Sequence, residues 1–200
     1  MQRPTEPRVV ALCGSLRDES RTRIALRDAL AAARKAGATT EPVDLRSHEL
    51  PGPYAVDSGV PDADDLRRTV TTADSVLLGT PNYHGSYSGA PKDALDHCGR
   101  DEFAGTTVGL LEAAAGSYPG SAPCHLWTAS RTLGAWTLPT EVGIPDSHST
   151  VTGDGIVEAA LSERTRRLGR ELVEYAGVAR YPEAVDGSAP VDGTRGGGDN

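Results

Sequence analysis

The chain has few large apolar side chains: of its 200 residues, one is Phe, one is Met and two are Trp. Its core must therefore be built from Ala, Val and Leu. Long hydrophobic runs are also missing. No stretch approaches the roughly 18 apolar residues of a membrane helix. The opening MQRPTEPR is not backed by the apolar segment of a signal peptide. The expectation is a protein that is neither exported nor inserted into a membrane. Lysine is scarce, present only at Lys35 and Lys92, and 28 acids outnumber 20 bases for a net charge of −8. An acidic chain without basic runs repels phosphate backbones, so nucleic acid is not an expected partner. The three cysteines, Cys13, Cys98 and Cys124, are odd in number and widely spaced. They form neither a disulfide framework nor a C-x-x-C pair, and a reducing cytoplasm is the expected location.

The rest of the chain alternates between two kinds of segment. Arg8 to Cys13 is a short apolar run ended by Gly14-Ser15, which predicts a buried strand meeting a turn. The next segment has helical spacing, with Ile24, Leu26, Ala29, Leu30 and Ala33 inward and Arg23, Arg27, Arg34 and Lys35 outward. Thr40–Leu45 predicts a second strand, and Arg46 to Pro61 reads as a long Pro- and Gly-rich loop. A helix from Pro61 to Thr72 carries acids in its first turn, and Ser75–Gly79 predicts a strand stopped by Thr80-Pro81. Ala90–Cys98 predicts a short helix, Thr106–Glu112 a strand, Ser121–Leu133 a helix and Ala135–Val142 a last strand. Val157, Leu161, Leu168, Leu172 and Tyr175 form the stripe of a closing helix. From Pro182 no apolar period survives, which predicts one domain over residues 1–181 and a disordered acidic tail over 182–200.

Strands that are continuously apolar and alternate with helices belong to a parallel sheet covered on both faces. The architecture expected is a doubly wound α/β sheet of five strands. Ligands of such sheets sit beyond the carboxyl ends of the strands, where strand order reverses. That rule selects three loops: Gly14–Thr22, Pro81–Pro91 and Ala113–Gly120.

In the first loop, Ser15, Ser20 and Thr22 offer hydroxyls, Arg17 a charged fork, and the helix start free N–H groups. The set suits one phosphate monoester, or equally an ordinary capped turn with Ser20 as N-cap. Other phosphate loops are excluded. Gly14 lacks the partners of G-x-G-x-x-G, no G-K-[ST] is present, and the residue six after Cys13 is Glu19 where a Cys-based phosphatase needs Arg. In the second loop, Tyr83 and Tyr87 supply ring faces, and Gly85 and Gly89 let backbone approach a flat heterocycle.

These residues resemble the NAD(P)H-dependent FMN reductases of flavodoxin-like fold, a family that includes related quinone, azo and chromate reductases. Gly14, Ser15, Arg17, Ser20 and Thr22 match its phosphate loop, G-S-x-R-x-x-S-x-[NT]. Pro81, Tyr83, Ser86, Gly89, Lys92 and Asp96 match its P-x-Y-x-x-S-x-x-G-x-x-K-x-x-x-D segment. The resemblance implies that Ser15, Arg17, Ser20 and Thr22 hold the FMN phosphate. It implies that Pro81, Asn82, Tyr83, His84, Gly85 and Ser86 wrap the isoalloxazine and ribityl chain, and that Gly116 and Ser117 touch the pyrimidine end. It further implies NADPH or NADH as hydride donor, a small-molecule acceptor such as free flavin or a quinone, and a homodimer or homotetramer.

Flavin would carry the reactivity, so no catalytic side chain is assigned. His97-Cys98 and Cys124-His125 lack the paired spacing of a zinc site, and no metal is expected. Ser15 and Ser86 lack the G-x-S-x-G elbow of a hydrolase nucleophile. His84 stands inside the flavin loop either as a contact or as a solvent-facing turn residue. Two other readings stay open at this level: a flavin-binding electron carrier with little turnover, and a flavin-free domain for another phosphate compound.

Overall fold

The computed structural model describes residues 4–52 and 59–178. The tail expected from residue 182 lies outside the described residues, as does part of the long loop before Pro61. Strands β1 (Arg8–Cys13), β2 (Thr39–Asp44), β3 (Ser75–Tyr83), β4 (Ser86–Tyr87), β5 (Thr107–Ala113) and β6 (Trp136–Ile144) form the main sheet. The five long strands are parallel in the order β2-β1-β3-β5-β6, and β4 pairs antiparallel with the end of β3. The doubly wound, flavodoxin-like five-stranded sheet expected from the alternating pattern is the fold observed. Strand order reverses between β1 and β3, so the loops leaving those strands diverge and open a crevice.

Alternate residues of each central strand point to opposite faces, and both faces are covered. Ala11, Cys13, Leu77 and Leu111 meet helices α1 (Arg21–Lys35) and α7 (Ala159–Glu174) through Leu26, Leu30, Leu168 and Leu172. Val10, Leu12, Val76, Leu78, Val108 and Leu110 meet helices α2 (Pro61–Thr71), α3 (Gly89–Asp96), α4 (Arg100–Phe103) and α5 (Ser121–Thr132). The second face holds Leu66, Val70, Leu95, Leu126 and the single Phe, Phe103, which is fully buried. Burial on both sides is why these strands read as unbroken apolar runs. Gly169 of α7 lies against the carbonyl of Ala29, and a β-carbon there would overlap that backbone atom. The two helices thus meet backbone against backbone at that point.

Three expectations need correction. β3 does not stop at Gly79 but continues through Thr80-Pro81 to Tyr83, because Pro81 keeps its place beside Ala113 of β5 and the chain then doubles back into β4. Val157 is not part of the closing helix: α7 begins at Ala159 and Val157 is exposed. The residues before it form α6 (Ser147–Thr150) and a small hairpin, β7 (Val151–Thr152) with β8 (Gly155–Ile156), whose strands are too short for any periodicity. Arg23 does not simply face solvent, as described below. Among the described residues, no helix is long and apolar enough to cross a membrane.

Candidate functional site

The crevice is assembled from the ends of β1, β3 and β5. Gly14 is the junction between the first two loops. Its N–H donates to the Gly79 carbonyl at 2.8 Å, and its own carbonyl accepts from the Ser88 hydroxyl at 2.6 Å. A β-carbon at Gly14 would collide with the Pro91 ring, so only glycine lets α3 seat against the first loop. Cys13, just before this turn, is buried, and burial pushes its thiol pKa up. It does not supply a thiolate nucleophile at neutral pH.

Ser20 caps α1, its hydroxyl accepting from the Arg23 N–H at 3.1 Å. The N–H groups of Arg21 and Thr22, the hydroxyls of Ser15 and Thr22, and the guanidinium of Arg17 have no partner among the described residues. Yet Ser15, Ser20 and Thr22 are all buried, while Arg17 is exposed. Hydroxyls and N–H groups gathered at the start of a 15-residue helix form a donor set for a single anion. A phosphate monoester such as that of FMN fits it.

Arg23 holds this loop in shape from behind. Its guanidinium donates to the carbonyls of Ser15 at 3.3 Å, Arg17 at 3.2 Å and Asp18 at 3.1 Å, and pairs with Asp44 at 3.1 Å. Burial alone would raise the Asp44 pKa. Hydrogen bonds from Arg46 and the charges of Arg23 and Arg46 outweigh it and hold that carboxyl below its ordinary range. Arg46 also reaches Asp18 at 2.6 Å. The sequence did carry a signal for Arg23. A first helical turn with basic residues and no acid opposes the helix dipole, so its cations must be engaged elsewhere.

The second loop is a two-residue hairpin. Asn82 pairs with Tyr87 and Tyr83 with Ser86, and His84 and Gly85 both have positive φ, 54° and 77°. Asn82 secures the turn from inside: its Oδ1 accepts from the Gly85 N–H at 3.0 Å. Its Nδ2 donates to Ser121 Oγ at 3.1 Å and to Glu112 Oε1. Ser86 Oγ lies 2.9 Å from His125 Nδ1 on α5, and the Tyr87 ring meets the His125 ring edge-on. Lys92 pairs with Asp96 one turn along α3 at 2.5 Å.

A cleft of about 90 Å³ lies where these loops meet. Ser15, Arg17, Ser20 and Thr22 line one side, and Pro81, Asn82 and Tyr83 face them, with Ala113, Ala115 and Ser147 at the end. A larger hollow of about 770 Å³ flanks α1 and shares Glu19, Ser20, Arg21 and His148 with the cleft. Its walls are mainly aliphatic, and its Arg23, Arg27 and Arg34 already have partners. The unpartnered anion donors belong to the smaller cleft.

Seven of the twelve residues singled out from the sequence therefore share that cleft. His84, Gly85 and Ser86 form the exposed tip and return of the hairpin beside it. Gly116 and Ser117 do not line it. The Gly116 carbonyl accepts from the Asp146 N–H at 3.0 Å, and the Ser117 hydroxyl donates to Asp146 Oδ1 at 3.1 Å. Glu112 was missed altogether. An acid closing the run Thr107-Val-Gly-Leu-Leu in a strand covered on both faces was the available signal.

Residues 7–149 match the family described as NADPH-dependent FMN reductase. An FMN-dependent NADPH-azoreductase of Staphylococcus aureus is 34% identical over 120 residues, which are 58% of this chain and 64% of that protein. The chain thus spans just under two thirds of the length of the curated relatives it matches. Among solved structures, the flavoenzyme NAD(P)H:(acceptor) oxidoreductase of Paracoccus denitrificans aligns with a TM-score of 0.73 at 16% identity, covering 86% of this chain and 98% of that one. An archaeal flavodoxin aligns with a TM-score of 0.57 at 11% identity, covering 84% and 98%. Likeness at such identity concerns the fold alone, whereas the family match spans all three loops. By that match, the chain belongs to the NADPH-dependent FMN reductase family.

Proposed function

We propose that this protein is an FMN-dependent NAD(P)H oxidoreductase that takes hydride from a nicotinamide and passes it to free flavin, a quinone, an azo compound or a similar small acceptor. The observation that carries the reading is the unpartnered donor set at the start of α1, facing the Pro81–Tyr83 wall across one cleft. Bound FMN would supply the hydride-accepting centre, so the protein needs no nucleophile or general base of its own.

The chain's own residues bind, orient and exclude water. Ser15, Thr22, Arg17 and the α1 N–H groups would hold the phosphate, with charge-assisted hydrogen bonds from Arg17. Arg23 keeps the carbonyls of that loop turned away from the anion, since each accepts from its guanidinium. The Tyr83–Ser86 hairpin and Ala113–Ala115 would form the walls beside the ring. Residues outside the cleft, Gly116 and Ser117 included, would act through the third loop's backbone.

The reading extends to a cytoplasmic homodimer or homotetramer. Three free cysteines, two of them buried, suit a reducing compartment. Light scattering on the purified protein measures the assembly. Flavin absorbance of the purified or FMN-loaded protein, then its bleaching by NADPH or NADH in stopped flow, tests the activity. Loss of the flavin band within milliseconds to seconds is expected. Binding without bleaching by either nucleotide would make the protein a flavin carrier, and no binding would end the proposal.

A further inference from the structure

We infer that Glu112 is a positioning residue that fixes the second and third loops relative to each other and so sets where the Pro81–Tyr83 wall of the cleft stands. The inference rests on the FMN reading for its consequence, though not for its geometry. Glu112 is fully buried at the carboxyl end of β5. Its two oxygens are divided between two loops. Oε1 accepts from the Asn82 carboxamide, and Oε2 accepts from the Gly120 N–H at 2.7 Å.

The division reaches further through Asn82. That carboxamide also holds the Gly85 N–H and the Ser121 hydroxyl, so one half-buried side chain links the hairpin turn to the start of α5. Every atom in the chain has a defined polarity. Glu112 accepts twice, Asn82 donates from nitrogen and accepts at oxygen, and Gly120 and Gly85 donate. A buried acid that served packing alone would be replaceable by its neutral isostere. Here a carboxamide at 112 would keep its oxygen for Gly120 and turn an N–H toward the N–H of Asn82. A donor would then face a donor beside the fully buried end of β5, a costly arrangement. The neighbouring Glu141 lies across from Leu110 on β6, and its pKa is raised by burial and, to a smaller degree, by the charge of Glu112.

The polarity argument gives a test by exchange of partners. In Glu112→Gln, affinity of the FMN-free protein for FMN, read by quenching of flavin fluorescence, should fall about tenfold, the size of one good charge-assisted hydrogen bond. In Asn82→Asp two carboxylates face each other, and the loss should be larger. The double variant, Glu112→Gln with Asn82→Asp, restores a donor opposite an acceptor. Its FMN affinity should exceed what the two single losses predict when added, a favourable coupling of about tenfold or more in the cycle.

Amide exchange at Gly85 and Gly120 in the FMN-free protein supplies a second reading that needs no ligand. Both amides should exchange faster in Glu112→Gln and recover together in the double variant. Should either single variant fail to fold, recovery of folding in the double variant carries the same conclusion. Additive losses in the double variant, or faster exchange at Gly120 with Gly85 unmoved, would overturn the inference. A parent protein that binds no FMN would defeat the functional reading, and the exchange result would still decide whether Glu112 couples the loops.

Discussion

The first loop and the hairpin face each other across one cleft, yet they dispose of their polar groups in opposite ways. In the first loop the backbone carbonyls are tied down by Arg23 while Ser15, Thr22 and Arg17 keep their side-chain donors unused. In the hairpin the side chains are tied, through Asn82, Glu112 and the Ser86–His125 contact, and the turn backbone stands outward. One wall offers side-chain donors and the other offers shape. On the proposed reading, the first suits a charged phosphate and the second a flat ring, which needs surface more than directed bonds.

The junction of the two walls is the place to break this arrangement outright. Gly14→Val should lower stability by about 3 kcal/mol, the upper end of overpacking costs, because its side chain would meet the Pro91 ring. Urea unfolding measures it, and an unchanged midpoint would mean that α3 can retreat. A purely ligand-directed effect should come next. Arg17→Ala should reduce FMN affinity by about tenfold to a hundredfold while changing stability by less than about 0.5 kcal/mol.

Arg23→Ala should behave differently from its neighbour in the same loop. It should cost about 1 kcal/mol of stability and weaken FMN binding together, since it frees three carbonyls at once. Alkylation of Cys13 at pH 8 should stay slow in that variant, since loss of the Arg23 charge raises the thiol pKa further. In the parent protein Cys124 should react alone, because burial protects Cys13 and drives the Cys98 pKa up to about 12.

The contribution of Asp44 to that loop should depend on pH with a defined sign. Its folded pKa lies below the ordinary value, so the stability it adds is complete above about pH 4 and fades as pH falls through the lower folded value. The stability difference between parent and Asp44→Asn should therefore stay constant from pH 7 to about 5 and shrink in acid, with a size below about 1 kcal/mol for so exposed a pair. The smallest effect should be Lys92→Ala, about 0.3–0.5 kcal/mol from one exposed helical pair. A larger loss, or any loss of FMN affinity, would give Lys92 a part in the site.

The same contrast explains what the sequence disclosed. The sheet was legible because its central strands, covered on both sides, are written as apolar runs such as Val9–Cys13 and Ser75–Leu78. The first loop stood out because its hydroxyls and guanidinium are side chains at fixed spacing. The hairpin was partly hidden. Thr80-Pro81 carries the local mark of a strand's end, and only the pairing of Pro81 beside Ala113 keeps it inside β3. Glu112 and Arg23 were harder still. Their partners lie 30 residues away at Asn82 and 21 away at Asp44, and no local period records such contacts. Gly116 and Ser117 both meet Asp146, a contact that sequence proximity could not suggest.

The bare contact between Gly169 and the Ala29 backbone has a consequence for where the working unit ends. The family match ends at residue 149, but α1 rests at Ala29 against a helix that begins at Ala159. The anion loop is the free end of α1, so its aim is set by a partner contributed from the far end of the chain. Trimming the chain to the stretch that the family match covers would leave every residue of the proposed phosphate site in place and remove the helix that braces α1 from behind.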